Sequence, residues 1–231
     1  MKTPNTQLMK QARESLKGRW GLVICTFIVY AFIQGLSSAS DYIPFLTANP
    51  LGLAGIAPLI FLIFVSGPVE LGYATFSLAV SRNEEPKLGM LFSGFKQNYW
   101  KSVGVMLLVM IFVILLMLLL IVPGIIAALG YALAFYILRD NPEIGVYQAI
   151  KKSWRMMKGY KAKLFLLTLI FLGLMVLCAL PILVFLLWKI PFTLILGIIT
   201  SVVGVLFFYP YMQITYAKFY EDVKANYADT E

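Results

Sequence analysis

The chain of 231 residues is 61% hydrophobic and 13% charged, with a formal net charge of +8 and no histidine. A soluble domain carries about twice that charged fraction, and without imidazole the commonest general base and metal ligand are missing. The charges cluster and leave apolar runs of membrane-spanning length, so the expectation is an integral membrane protein with one membrane domain over 1–231.

Thr3-Pro4 starts an N-terminal helix with Leu8, Ala12, Leu16 and Trp20 on one side and Lys10, Arg13 and Lys17 on the other. Leu16-Lys17-Gly18-Arg19-Trp20 then leads into a first apolar span, roughly 20–40. Ser38-Ala39-Ser40 has the small residues of a signal-peptide cleavage site, but the charged region before Trp20 is long and helical in pattern, so the segment is expected to be retained. Cys25, here, and Cys178, further on, both fall in apolar runs and read as small hydrophobes rather than as a disulfide.

The second span, roughly 54–80, carries Glu70, the one acid well inside a span. Counted from Ser81 it lies about 15 Å deep, near the midplane. An acid there costs about 2.5–3.5 kcal/mol and is a functional candidate by default. Pro68 cannot donate to the Phe64 carbonyl, so a kink is expected beside Glu70, as in the broken-helix sites of transporters. Two readings stand: a transport site at Glu70 and Pro68, or a packed acid hydrogen-bonded to Gln34, Gln213 or a tyrosine of another span.

Leu88, Leu91, Phe92, Phe95 and Tyr99 share a face of a second amphipathic segment. It passes through Lys96-Gln97-Asn98-Tyr99-Trp100-Lys101 into a third span, 102–122, followed by a fourth, 124–139. One unbroken helix over both would be about 57 Å long, nearly twice the bilayer core of about 30 Å, so Val122-Pro123-Gly124 is expected to turn.

Asp140-Asn141-Pro142-Glu143 reads as a helix start. In the helix it begins, Val146, Ala149, Ile150, Trp154, Met156, Met157 and Tyr160 fill one half of the circumference. Gln148, Lys151, Lys152, Arg155 and Lys158 fill the other, the pattern of a helix lying in the headgroup layer. Met157-Lys158-Gly159-Tyr160-Lys161 leads into a fifth span, 164–187, and Trp188-Lys189-Ile190-Pro191 turns into a sixth, 192–216, with a kink expected at Pro210.

The predicted fold is therefore an all-α, six-span bundle with three interfacial amphipathic helices on the cytoplasmic side. A three-fold pattern of interfacial helix plus hairpin runs through units 1–80, 81–140 and 141–231. Lysine and arginine fall almost wholly in the N-terminal segment and the loops after spans two and four, with only Lys189 opposite. The positive-inside rule then places both termini in the cytoplasm. The basic helices either anchor the bundle or form a collar for anionic membrane lipid or a partner protein, each cation near such a leaflet contributing about 1 kcal/mol. Lys151, Lys152, Arg155 and Lys158 are the candidate contacts, with Trp154 as anchor. Small residues such as Gly197 and Gly204 suit close helix packing within the chain or in a homo-oligomer. Topology accounts for the positive charge, so no nucleic-acid partner is expected. With no nucleophile elbow, phosphate loop or ligand cluster, the expectation is no enzyme, no cofactor and no metal.

The stretch Pro123-Gly124-Ile125-Ile126, Tyr131-Ala132-Leu133-Ala134 and Leu138-Arg139-Asp140-Asn141-Pro142-Glu143 continues into Ala149-Ile150-Lys151-Lys152-Ser153, Met157-Lys158-Gly159 and Lys163-Leu164-Phe165. It resembles the domain-of-unknown-function 975 family, multi-pass membrane proteins common in Gram-positive bacteria. Ala12-Arg13-Glu14-Ser15-Leu16-Lys17-Gly18-Arg19-Trp20 is similar to that family's start and Phe219-Tyr220 to its end. The sequence departs from the family's pattern at Gly130, where relatives tend to be polar or basic, and at Leu166, Leu167 and Thr168. A looser similarity links the central block to the membrane region attached to some glycerophosphodiester phosphodiesterases; the sequence contains no such hydrolase domain, so no activity is implied. The resemblance implies the multi-pass topology and a bacterial cell membrane, and no function.

Overall fold

The computed structural model of the chain describes residues 3–39 and 62–228, all of them in helices and the turns between them. Ser40, Asp41 and positions 54–61, the start of the second predicted span, lie outside the described residues. In order the helices are α1 (Asn5–Leu16), α2 (Trp20–Ala39), α3 (Gly67–Ser81), α4 (Ser93–Lys96), α5 (Tyr99–Leu119), α6 (Ile121–Tyr131), α7 (Ala134–Asp140), α8 (Val146–Met156), α9 (Lys161–Trp188) and α10 (Pro191–Ala228). A π-helical turn, Leu62–Ser66, leads into α3, and a 3-10 turn, Leu88–Phe92, leads into α4. Five stretches among the described residues are long and apolar enough to cross a membrane: Ile63–Ser81, Tyr99–Leu119, Ile121–Asp140, Lys161–Trp188 and Pro191–Ala228. A sixth passes if α1 and α2, bent by 100° at their joint, are counted together. The chain is an all-α membrane protein.

The three basic-to-apolar junctions share a backbone device. Gly18, Asn98 and Gly159 each adopt a positive φ, +75°, +58° and +78°. Glycine reaches this left-handed region without steric cost, and asparagine is one of the few other residues that visit it readily. Each then ends one short helical segment and turns the chain into a long one, just before Trp20, Tyr99 and Tyr160.

Four expectations differ from the structure, each for a local reason. The break between the third and fourth spans falls at Leu120, whose backbone is extended, and not at Val122-Pro123-Gly124. Pro123 lies in the first turn of α6, where its missing N–H costs nothing. The fourth span is itself broken at Ala132–Leu133, between α6 and α7. Asp140 ends α7 instead of starting the next helix, and α8 begins at Val146 with Gly145 as its cap. Beside Glu70, Pro68 occupies the first turn of α3, and the interruption is the π-turn ahead of it. The Phe64 carbonyl that Pro68 cannot serve accepts the Tyr99 hydroxyl at 3.2 Å. Pro210, where a kink is expected, lies inside α10.

The core sits at one end of the molecule, the base, where α1, α5, α7 and the C-terminal part of α10 pack on α3 and α8 packs on α5 and α7. Every residue of α3 except Glu70 is buried. Glycines set its closest approaches: a Cβ on Gly72 would lie 1.8 Å from the Leu91 carbonyl oxygen, and one on Gly94 would lie 2.0 Å from that of Pro68. The 88–96 segment is thus docked backbone to backbone on α3. The amphipathic helices spend their apolar faces on this core: Leu8, Ala12 and Leu16 of α1 and Ala149, Ile150 and Met156 of α8 are all buried. Protein therefore covers these faces.

At the opposite end, the α5–α6 and α9–α10 turns are surrounded by exposed apolar side chains, among them Leu118, Leu119, Val122, Leu187 and Phe192. Burying this surface in a bilayer is what a membrane span requires. Within α9–α10, Gly197 faces Ile182 and Pro181, and Gly204 faces Cys178. These small residues therefore serve packing inside the chain. Cys25 and Cys178 are both free.

Candidate functional site

The basic face of α8 points away from the core. Lys151, Lys152 and Arg155 line a groove of about 300 Å³ together with Ile144, Gln148 and Tyr227 near the end of α10. No carboxylate among the described residues lies within ion-pair distance of these three cations. Lys151 stacks loosely over Tyr147, with its ammonium 5.9 Å from the ring centroid. Lys158 is exposed in the turn after α8 and does not line the groove. Trp154 is also apart from it. Its ring packs against Tyr131, with centroids 5.3 Å apart, and lies under the Lys161 ammonium at 3.2 Å. A Cβ on Gly130 would come within 2.4 Å of that ring, so this glycine makes room for Trp154.

Ser153, which the sequence reading did not single out, holds α8 to the break in the fourth span. Its hydroxyl donates to the Gly130 carbonyl at 2.8 Å and accepts the Leu133 N–H at 3.3 Å. Backbone groups freed by a helix break need such partners when buried. A lone serine between two lysines and a tryptophan gave no sign of this role in the sequence.

The second candidate lies where α2, α3 and α10 meet. The Tyr30 hydroxyl donates to Glu70 Oε1, and Gln34 Nε2 donates to the same oxygen at 3.2 Å. Ser66, at the end of the π-turn, donates to Gln34 Oε1 at 2.9 Å. The Tyr209 hydroxyl lies 3.4 Å from that of Tyr30, and Tyr30 stacks on Tyr73 with centroids 4.4 Å apart. Glu70 and Pro68 are thus close in sequence and in space, and Glu70 is hydrogen-bonded to two neighbours from α2. Gly67, three residues before it, packs against the Ser102 carbonyl near the start of α5. The stretch from Leu71 to Ser81 that follows Glu70 is buried in protein.

A third polar cluster was read from sequence only as a helix start. Asp140 Oδ2 accepts hydrogen bonds from Arg82 at 2.8 Å, Lys224 at 2.5 Å and Tyr220 at 3.0 Å. Arg82 also bonds Glu221 Oε1 at 2.6 Å, and the Lys218 ammonium donates to the Ser81 carbonyl. The bond to Asp140 pushes the Arg82 guanidinium above its ordinary pKa, and Glu221 adds to this against the opposing effect of burial. Of these residues, Ser81, Arg82, Lys218 and Glu221 line a polar cavity of about 580 Å³, together with Gln11, Glu14 and Asp222. Among the described residues no three of His, Cys, Asp or Glu gather as metal ligands.

No curated protein and no solved structure matches the chain. The model of one family, described as "Protein of unknown function (DUF975)", matches residues 1–123 and 104–227. Between them these two matches cover nearly the whole sequence, and the chain belongs to that family.

Proposed function

We propose that the chain is a non-enzymatic membrane scaffold or accessory subunit of the bacterial cell membrane, which binds anionic lipid or an acidic partner protein through the basic face of α8. In this reading it has six spans, α2 being the first, and both termini are cytoplasmic, because the positive-inside rule assigns the base to that side. The observation that carries the reading is the set of three cations, Lys151, Lys152 and Arg155, around one groove, with no carboxylate partner among the described residues. The apolar face of the same helix is consumed by its own core, which leaves the cations for a partner outside the chain. Lys158 extends the field beyond the groove. The left-handed joints at Gly18, Asn98 and Gly159 support the three-unit layout.

The test is replacement of Lys151, Lys152, Arg155 and Lys158 by Gln. The expected result is loss of the anionic lipid or partner protein that stays with the wild-type chain after gentle extraction. Unchanged retention with intact membrane insertion contradicts the proposal.

A second reading is favoured by a specific observation: the π-turn, Pro68 and Glu70 adjoin, and interrupted helices with polar groups recur at membrane binding sites. Here the chain is a small transporter or lipid-handling protein with its site at Glu70. Glu70→Gln then abolishes a pH-dependent flux in proteoliposomes while leaving the fold intact. Wild-type protein that moves nothing counts against it.

A further inference from the structure

A groove of about 360 Å³ runs between α6 and α9, within the range of about 300–1,000 Å³ common to ligand sites. Val122, Ile125 and Leu129 line one wall, and Ala162 and Phe165 line the other. Lys161, the first residue of α9, is the only charged residue lining it. Val122, Ile125 and Phe165 are exposed, so the groove opens toward the surroundings of the spans and no described part of the chain covers it.

The cation is held in place. Its ammonium sits over the Trp154 ring at 3.2 Å from the centroid, a cation–π contact that fixes the charge without neutralising it. No carboxylate among the described residues pairs with it. Gly130 keeps the space open: a Cβ there would lie 2.4 Å from the ring and 3.4 Å from Lys161 Cε. A hydrocarbon slot with one fixed positive charge at its end is complementary to an amphiphile with an apolar tail and an anionic head. The lined stretch of α6, Val122 to Leu129, is about 10 Å long at 1.5 Å per residue. That is a third of the bilayer core, which suits the upper part of an acyl chain and is too short for a spanning helix of a partner.

We propose that this groove binds one anionic phospholipid, with an acyl chain between α6 and α9 and the headgroup phosphate on Lys161. The inference deepens the lipid-binding reading above, but the site is distinct from the α8 groove and does not use its cations.

The experiment is native mass spectrometry of the purified full-length chain in detergent, titrated with phosphatidylglycerol and, separately, with phosphatidylcholine of the same chains. Wild type should retain one phosphatidylglycerol in preference to phosphatidylcholine. Lys161→Gln should cut that preference about fivefold, the contribution of one cation, and Lys161→Arg should keep it. Ile125→Trp, which fills the slot, should lower occupancy by both lipids. The variant with Lys151, Lys152, Arg155 and Lys158 replaced by Gln should keep this lipid. Equal retention of both lipids by wild type would make the groove an ordinary place for exchanging annular lipid and overturn the site. So would a Lys161→Gln variant that binds as wild type does. Loss of the lipid only in the α8 variant would move binding to that face. If Ile125→Trp does not fold, the Lys161→Gln and Lys161→Arg pair still decides the question.

Discussion

Arg82, one residue past the end of α3, donates from Nη2 to Asp140 Oδ2 at 2.8 Å and so ties together two helix ends 58 residues apart. Lys224 and Tyr220 of α10 bond the same oxygen, and the Asp140 side chain is only 6% exposed. Three helices are thus pinned at the base by one carboxylate. Asp140→Ala leaves Arg82 to Glu221 alone and Lys224 without its acceptor. Removing one partner of a fully buried pair costs about 3–5 kcal/mol; the half-exposure of Lys224 and partial exposure of Arg82 reduce this to about 2–3 kcal/mol. Thermal unfolding in detergent should show the loss, with a smaller one for Lys224→Ala.

Gly72→Ala should be among the most damaging small substitutions. Its Cβ would lie 1.8 Å from the Leu91 carbonyl oxygen, so α3 and the 88–96 segment must separate. Overpacking costs about 1–3 kcal/mol and more where backbone must move. Gly21→Ala, which meets nothing within 4 Å, is the control and should leave the unfolding midpoint within experimental error.

Ser153→Ala should destabilise the base by about 1–3 kcal/mol, since it leaves the Gly130 carbonyl and the Leu133 N–H unpaired in a buried place. Hydrogen exchange should rise at the α6–α7 break before it rises in α9. A uniform rise would mean that Ser153 does not hold this joint in particular.

These residues also mark what could be read from the sequence and what could not. The apolar runs, the basic junctions and the turn at Trp188–Pro191 follow from local composition, and the helices fall there. The left-handed glycines and asparagine of the junctions were visible as part of a repeated pattern. Helix α8 was found by its periodicity, but periodicity says only that one face is apolar. It does not say whether lipid or protein covers that face, and here protein does. The Asp140–Arg82 bond joins segments far apart in sequence, and its local context, Asp-Asn-Pro-Glu, matches a helix start well enough to hide it. The break at Leu120 was misplaced because proline marks the first turn of a helix as readily as a loop. Glu70 stood out as a lone acid, and of its partners only Gln34 was named; Tyr30 was covered only by the expectation of a tyrosine from another span.

Glu70→Gln and Glu70→Leu should separate geometry from charge. Gln keeps an oxygen that can accept from Tyr30 and Gln34, so stability should change by less than about 1 kcal/mol. Leu leaves both donors without their acceptor and should cost about 1–3 kcal/mol. Chemical unfolding of the two variants in the same detergent provides the comparison. Equal loss in both would show that the carboxylate charge, and not the oxygen, is what the cluster requires.

In the proposed function the α8 cations hold an anionic partner at the base. Native mass spectrometry of the chain gently extracted from its own membrane tests it most directly, wild type beside the variant with Lys151, Lys152, Arg155 and Lys158 replaced by Gln. A stoichiometric anionic lipid or acidic protein should stay with the wild type and be lost from the variant, while the lipid assigned to Lys161 stays. Wild type and variant carrying the same companions in the same amounts would contradict it.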